Sequence, residues 1–255
     1  MQEAALGDDV DRIRLLEDIG ADAWPAATTI RHEGWRLGLD RGVTRRANAV
    51  LPNGPVADPD GLIALVERRY RDHGLRPCFK MTAAAEPGDL DRRLARRGYH
   101  AEGHSLVLVA DARNVALPSS PRIGVTLQEQ PTRAWLDTCW PAERADQRAA
   151  LEQIAARVPA PRTFGLARLD GAAAGAALAV AGRGWVGLTA VHTLPAQRRR
   201  GVAQRLLGVL TGWAVAQAAP QLYLQVEADN DAARRLYAGL GFTEAYRYHY
   251  RRTAA

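Results

Sequence analysis

The chain has 255 residues, 47% of them hydrophobic and 24% charged, with a formal net charge of +6, a composition that excludes a disordered or fibrous protein and allows one large domain or two of about 120 residues each. No apolar run reaches the roughly 18 residues of a helical membrane span. Cys78 and Cys139 lack CxxC spacing and the six histidines lack HExxH spacing, which argues against a disulfide framework and a metal site.

The charge is unevenly placed. Residues 1–118 sum to −1 and residues 119–255 to +7, so an anionic partner belongs to the second half. All basic residues but Lys80 are arginine. The N-terminal stretch MQEAALGDDVDRIRLLEDIG is acidic and helical in period, where a secretory signal would need basic residues and then an apolar block, so a cytoplasmic location is expected.

In chain order, the pattern predicts a helix near 8–28, strands at EGWRLGLD and TRRANAVL, a helix at DPDGLIALVERRYRDHG and a strand at RPCFKMT. A short helix at GDLDRRLARRG and the strand SLVLVA close the first half. DARNVALPSSPR (111–122) reads as a linker, giving expected domains 1–115 and 122–255. The second half reads as strand IGVTLQE, a helix over about 132–157, and strands RTFGLARLD, AAGAALAVA and GWVGLTAVHT. A helix over 201–219, stopped by Pro220, then precedes strand QLYLQVEA, helix NDAARRLYAGLG and a terminal strand pair in FTEAYRYHYRR. RRLARRGYHAE (92–102) aligns without a gap on RRLYAGLGFTEA, matching Gly98 to Gly241 and Tyr99 to Phe242. Each copy reads as a helix closed by a glycine with an aromatic starting the next strand, which points to an internal duplication.

The strand GWVGLTAVHT leads through Leu194-Pro195 into PAQRRRGVAQRLLGVL (195–210), where Arg198, Gly201 and Ala203 form R-x-x-G-x-A ahead of an apolar-faced helix. Free N–H groups and the helix dipole favour an anion there by about 0.3–1 kcal/mol. Gly201 permits close backbone approach, Ala203 keeps the next turn clear, and the arginines add charge-assisted contacts. Some 30 residues on, NDAARRLYAGLGF supplies Asn230, Tyr237 and a Gly-Phe ending. Together, in this order and spacing, the two motifs resemble the GNAT superfamily of acyl-CoA N-acyltransferases over about residues 122–250.

That resemblance implies an α/β fold of two GNAT-like domains, each a mixed central sheet flanked by helices, with acetyl-CoA as co-substrate and no metal. It implies that Arg198, Arg199, Arg200, Gly201, Val202 and Ala203 bind the pyrophosphate. Backbone groups of Val191 and Thr193 would pair with the pantetheine amides, and Asn230 would lie near that arm. Tyr237 would protonate the departing thiolate. The family often has a glutamate on the strand corresponding to GWVGLTAV, and this chain has none there. Glu227, at the end of QLYLQVE, is the first candidate for general base and His192 the second.

In the first half, Leu94 stands where Tyr237 stands in the second, and PNGPVADPDG, with no basic residue, stands where the phosphate loop would be. One active site per chain is therefore expected, with a degenerate first domain shaping an acceptor pocket. Trp35, Arg46, Asn48 and His192 are acceptor candidates, with Trp24 and Arg45 beside the first three. The expected reaction is acetyl transfer to a primary amine of a small molecule by direct attack in a ternary complex. A protein lysine or N-terminal acetyltransferase and a non-catalytic acyl-CoA sensor are the alternatives. Neither nucleic acid nor membrane is an expected partner.

Overall fold

The computed structural model describes residues 2–115, 120–141 and 145–254; the middle of the expected linker lies outside the described residues. Helices and strands alternate through both halves of the chain, as an α/β protein requires. They form two compact units: residues up to Leu106 with 227–229 and 246 onward, and residues 107–226 with 230–245. The division falls at 106/107 rather than within 115–122, and the end of the last strand groups with the first unit.

The first unit contains α1 (Gln2–Ala23), β1 (Thr28–His32), β2 (Trp35–Leu39), β3 (Val50–Leu51), α2 (Pro59–Asp72), β4 (Cys78–Met81), α3 (Leu90–Arg96) and the start of β5 (His100–Asp111). TRRANAVL, expected to be one strand, is a 3-10 turn over Arg46–Asn48 followed by the two-residue β3. Helix α2 begins where the sequence supplies a cap: Asp58 accepts the Gly61 N–H at 3.0 Å and Pro59 takes the first helical position. Its buried Leu62, Ile63, Val66 and Tyr70 recur at helical spacing and meet Trp35, Phe79 and Tyr99 in the core. Trp35–Phe79 and Phe79–Tyr99 are edge-to-face pairs at 5.7 and 5.6 Å, each adding about 0.5–1.5 kcal/mol to the burial itself.

The second unit contains β6 (Ile123–Gln128), α4 (Arg133–Cys139), α5 (Ala145–Arg157), β7 (Arg162–Leu169), β8 (Ala172–Gly182), β9 (Trp185–Thr193), α6 (Val202–Ala216), β10 (Gln221–Glu227, of which Glu227 groups with the first unit) and α7 (Asp231–Gly239). The single helix expected over 132–157 is two, α4 and α5; Cys139 ends the first and Pro141 follows Trp140. The terminal pair is one strand, β11 (Thr243–Arg252), whose residues 249–252 pair antiparallel with β4.

Strand pairing is mixed in each unit. In the first unit the order is β1-β2-β3-β4-β11, with β3 and β4 parallel. In the second it is β10-β9-β8-β7-β6, with β9 and β10 parallel and the others antiparallel. Consecutive residues of β7 face opposite helices, as strand alternation demands: Phe164 meets Trp135 of α4 at 5.0 Å, whereas a Cβ on Gly165 would lie 2.9 Å from Leu206 of α6. Helices α4 and α6 therefore cover opposite faces of this sheet.

Helix α6 buries Val202, Leu206, Leu207, Leu210 and Ala214, burial that removes about 1.5–3 kcal/mol of apolar exposure for each large side chain. It ends at Ala216, before the expected proline stop. Ala218, at φ +55°, closes it, with its N–H donating to Val215 O at 3.0 Å and the Ala219 N–H to Ala214 O at 3.1 Å.

The repeated helix endings share one geometry. Gly98 and Gly241 sit at φ +83° and +89°. The Tyr99 N–H donates to Leu94 O at 3.1 Å, and the Phe242 N–H to Tyr237 O at 3.0 Å. The Gly98 N–H donates to Ala95 O and the Gly241 N–H to Ala238 O, both at 3.0 Å.

Candidate active site

The parallel ladder between β9 and β10 runs from Trp185–Gln221 to Leu188–Leu224 and ends there, while β9 continues to Thr193. Beyond Leu188 the register with β10 does not continue, and backbone groups at Val191 and Thr193 are placed to pair with a ligand laid alongside as an added strand. The antiparallel side of β9 is irregular. Leu178 faces Thr189 and Ala176 faces His192, so Ala177 of β8 opposes two residues, Ala190 and Val191, in a one-residue bulge. Ala190 takes the left-handed conformation, at φ +53°.

The chain then turns through Pro195–Gln197 and the arginines into α6. Arg199 lies at φ +61° and Gly201, the N-cap, at φ +79°. A side chain at Gly201 would be strained by that backbone, although its Cβ would meet nothing nearer than 3.9 Å. Among the described residues no side chain caps α6, and its first helical bond is from the Arg205 N–H to Gly201 O at 3.0 Å. The amides of Val202, Ala203 and Gln204 are thus the unsatisfied donors of a helix N-terminus. Gly175 of β8 lets this end lie close to the sheet: a Cβ there would stand 2.8 Å from Val202 Cγ1 and 2.9 Å from His192 O. Arg198 Nε donates to Thr193 O at 3.4 Å and Arg200 Nη1 to Gln197 Oε1 at 2.7 Å.

Helix α7 forms the facing wall. Asn230 caps it, accepting the Ala233 N–H at 3.1 Å, and Tyr237 lies two turns on, 6% exposed, edge-to-face with Phe242 at 5.9 Å. Burial pushes the Tyr237 phenol up to about 12, so it stays protonated throughout the neutral range.

Val191, His192, Thr193, Arg198, Arg199, Gly201, Val202, Ala203, Asn230 and Tyr237 all line one cavity of about 630 Å³. Gln197, Gln204, Ala232, Ala233 and Leu236 complete it. Sequence reading missed these five, although Ala233, Leu236 and Tyr237 share one face of α7 at helical spacing. Among the described residues the lining contains no carboxylate.

Arg200 and Glu227 are absent from that lining. In the first unit, Glu227 accepts from Arg45 Nη2 at 3.0 Å. The Arg45 guanidinium is packed over the Gly103 backbone, where a Cβ would stand 2.9 Å from its Cζ, and lies 5.3 Å from the Tyr250 ring centroid. Trp35 is 1% exposed and donates its indole N–H to Glu86 O at 2.9 Å. Asn48 is buried, holding a turn by accepting the Asp40 and Gly42 N–H groups at 2.9 and 3.1 Å and donating to Thr44 O at 2.7 Å. Both side chains are committed to the core and a turn. Arg46 lies 5.0 Å over the Trp24 ring.

A family model described as "Probable histone acetyltransferase Rv0428c C-terminal" matches residues 11–251. The chain is 28% identical over 249 residues to a Bacillus subtilis (strain 168) protein described as "Uncharacterized N-acetyltransferase YobR", covering 95% of this chain and 99% of that one. Its fold is similar to that of a GCN5-related N-acetyltransferase from Kribbella flavida, with a TM-score of 0.73 at 17% identity, over 96% of this chain and 95% of the other. It is also similar to a tandem GNAT protein from the clavulanic acid biosynthesis pathway, with a TM-score of 0.65 at 14% identity, over 93% and 87%.

Proposed function

The chain belongs to the family described as "Probable histone acetyltransferase Rv0428c C-terminal" and has a fold similar to that of a tandem GNAT protein, and on that premise we propose that its second unit moves an acetyl group from acetyl-CoA to a primary amine of a small molecule by direct attack in a ternary complex. The observation that carries this reading is the shared cavity. The uncapped amides of α6, two arginines and the Tyr237 phenol line one space of about 630 Å³.

The pyrophosphate would lie at the α6 N-terminus, on the amides of Val202, Ala203 and Gln204, with Arg198 and Arg199 adding charge and Arg200 shaping the loop through Gln197. The pantetheine arm would follow the open edge of β9 at Val191 and Thr193, with Asn230 across from it. The amine nitrogen attacks the thioester carbonyl, the C–N bond forms, the C–S bond breaks and the sulfur departs as thiolate. Proton transfer from a phenol near 12 to a free thiolate of ordinary pKa is uphill by about 5 kcal/mol. Tyr237 therefore serves as a hydrogen-bond donor to sulfur as charge builds on it.

The acceptor must arrive neutral, which at pH 7 costs about 4–5 kcal/mol for a lysine-like amine and about 1 kcal/mol for an α-amine. Its place in the cavity wall supports His192 as the base. Glu227, directly or through water, would have to take the proton while ion-paired with Arg45. A cavity of about 630 Å³ with an apolar wall from Ala232, Ala233 and Leu236 supports a small-molecule acceptor. A protein lysine or N-terminal acceptor is the second reading, favoured by the description of the matched family model.

The test is thiol release from acetyl-CoA against a panel of small amines, free-N-terminus peptides and lysine-bearing peptides. Turnover led by small amines is the expected result. Turnover confined to peptides would reverse the acceptor assignment, and tight acetyl-CoA binding without turnover on any amine would favour a sensor.

A further inference from the structure

The β8–β9 bulge decides which way His192 faces. With Leu178 opposite Thr189, an unbroken ladder would set Ala176 opposite Val191 and put His192 on the α6 side of the sheet. The extra residue sets Ala176 opposite His192 instead, which moves His192 to the α4 side, the side Thr189 shares, and moves Thr193 to the α6 side. This arrangement needs an alanine in the left-handed conformation, at φ +53°, and it leaves carbonyls that the regular ladder would have paired.

Helix α4 takes up those carbonyls. The Trp135 indole N–H donates to Ala177 O at 3.0 Å, and the Cys139 Sγ–H to Ala190 O at 3.4 Å. These two side chains stand one turn apart, so a single helix face grips both sides of the bulge. Trp135 is 0% exposed and is fixed by edge-to-face contacts with Trp140 at 5.3 Å and Phe164 at 5.0 Å. The helix start is set by Thr132, which accepts the Trp135 N–H at 3.2 Å.

We infer that Trp135 and Cys139 are positioning residues for the acyl-transfer end of the cavity: by holding the bulge they fix the backbone of Val191 and the face taken by His192. The inference rests on the proposed acetyl-CoA reading of the cavity. The bulge is separated along the chain from the phosphate loop at 198–203, so the clamp bears on transfer and on the pantetheine end and leaves the pyrophosphate anchor alone.

The test compares wild type with Trp135→Phe, which keeps a ring and loses only the donor, and with Cys139→Ala and Cys139→Ser. Three quantities are read: kcat by thiol release, the Kd of CoA and of acetyl-CoA by calorimetry, and amide hydrogen exchange across residues 186–193. Trp135→Phe is expected to lower kcat at least 10-fold, to weaken CoA by no more than about 3-fold through its pantetheine contact, and to speed exchange at 186–193 without speeding it in α6. Cys139→Ala should do the same more weakly, with Cys139→Ser recovering most of the loss. Unchanged kcat and exchange in Trp135→Phe would overturn the clamp, as would a parallel loss of CoA affinity and kcat, the mark of general unfolding. If wild type binds neither CoA nor acetyl-CoA, the cofactor reading fails by itself, and exchange at 186–193 still decides whether α4 holds the bulge.

Discussion

Arg205 and Gly201 make the first hydrogen bond of α6, 3.0 Å from amide to carbonyl, and the residue that accepts it sits at φ +79°. The left-handed N-cap turns the arginine loop so that three amides with no helical acceptor point out of the helix start, into a cavity that Tyr237 shares. Substituting Gly201 by alanine meets no steric block in the protein, since the nearest atom to the added Cβ is 3.9 Å away. The backbone cost of about 1–2 kcal/mol remains, and the methyl group enters the space assigned to phosphate. Gly201→Ala is expected to lower Tm modestly and to weaken acetyl-CoA at least 10-fold. An unchanged Kd would remove the phosphate from this loop.

Tyr237→Phe tests the leaving-group role. With a phenol near 12, the hydroxyl donates equally well from pH 6 to pH 9, so its loss should lower kcat by a similar factor, about 10-fold or more, at each pH. The ring contact with Phe242 is retained, and Tm should barely move. A rate defect that appears only at one end of that range, or none at all, contradicts the assignment.

Asp91 offers a pH test of the first unit. Arg251 grips its carboxylate at both oxygens, at 2.9 and 2.6 Å, and His249 Nε2 lies at 2.7 Å. The Arg251 hydrogen bonds lower its pKa to about 2, against the opposing effect of partial burial, with His249 adding to the lowering. A pKa depressed by folding stabilises the fold above the unfolded value near 4, and that contribution fades as pH falls toward 2. The side chain is 38% exposed, so solvent screening reduces the effect to about 1 kcal/mol. Asp91→Asn should therefore destabilise by about that amount at pH 7 in urea unfolding, with the gap to wild type closing near pH 2. A gap that persists there would point to packing rather than charge.

Lys80, the only lysine, is 4% exposed, with Nζ 2.6 Å from Glu17 Oε2 and 3.8 Å from the Tyr248 ring centroid. Tyr246 donates to the same carboxylate at 2.8 Å. Removing one partner of a buried pair costs about 3–5 kcal/mol, so Lys80→Ala should lose about that much in urea unfolding. In the native protein Lys80 should resist amine-acetylating reagents and react after denaturation, as mass spectrometry of peptides would show. Ready modification under native conditions would mean the pair is open.

What could be read from the residues was what is encoded locally. The paired endings at Gly98-Tyr99 and Gly241-Phe242 were visible because closing a helix with a left-handed residue selects glycine at a fixed offset. The left-handed turn into α6 was visible for the same reason at Gly201. Strand β1 was missed: in TTIRH only Ile30 is even partly buried, so the segment has no alternation to detect. The bulge at Ala190 was not legible, because an extra residue is a property of how β9 pairs with β8 and neither strand carries it alone. Trp35 and Asn48 suggested a ligand-facing surface by residue type, yet type does not say which face of a strand meets the core.

The central claim is a single acyl-CoA site in the second unit, at the start of α6. Calorimetric titration of the full chain with acetyl-CoA tests it most directly, repeated on a variant carrying both Arg198→Ala and Arg199→Ala. One site per chain is predicted, with Kd raised at least 10-fold in the variant. Two sites per chain, no binding at all, or binding that the double substitution leaves unchanged would contradict it.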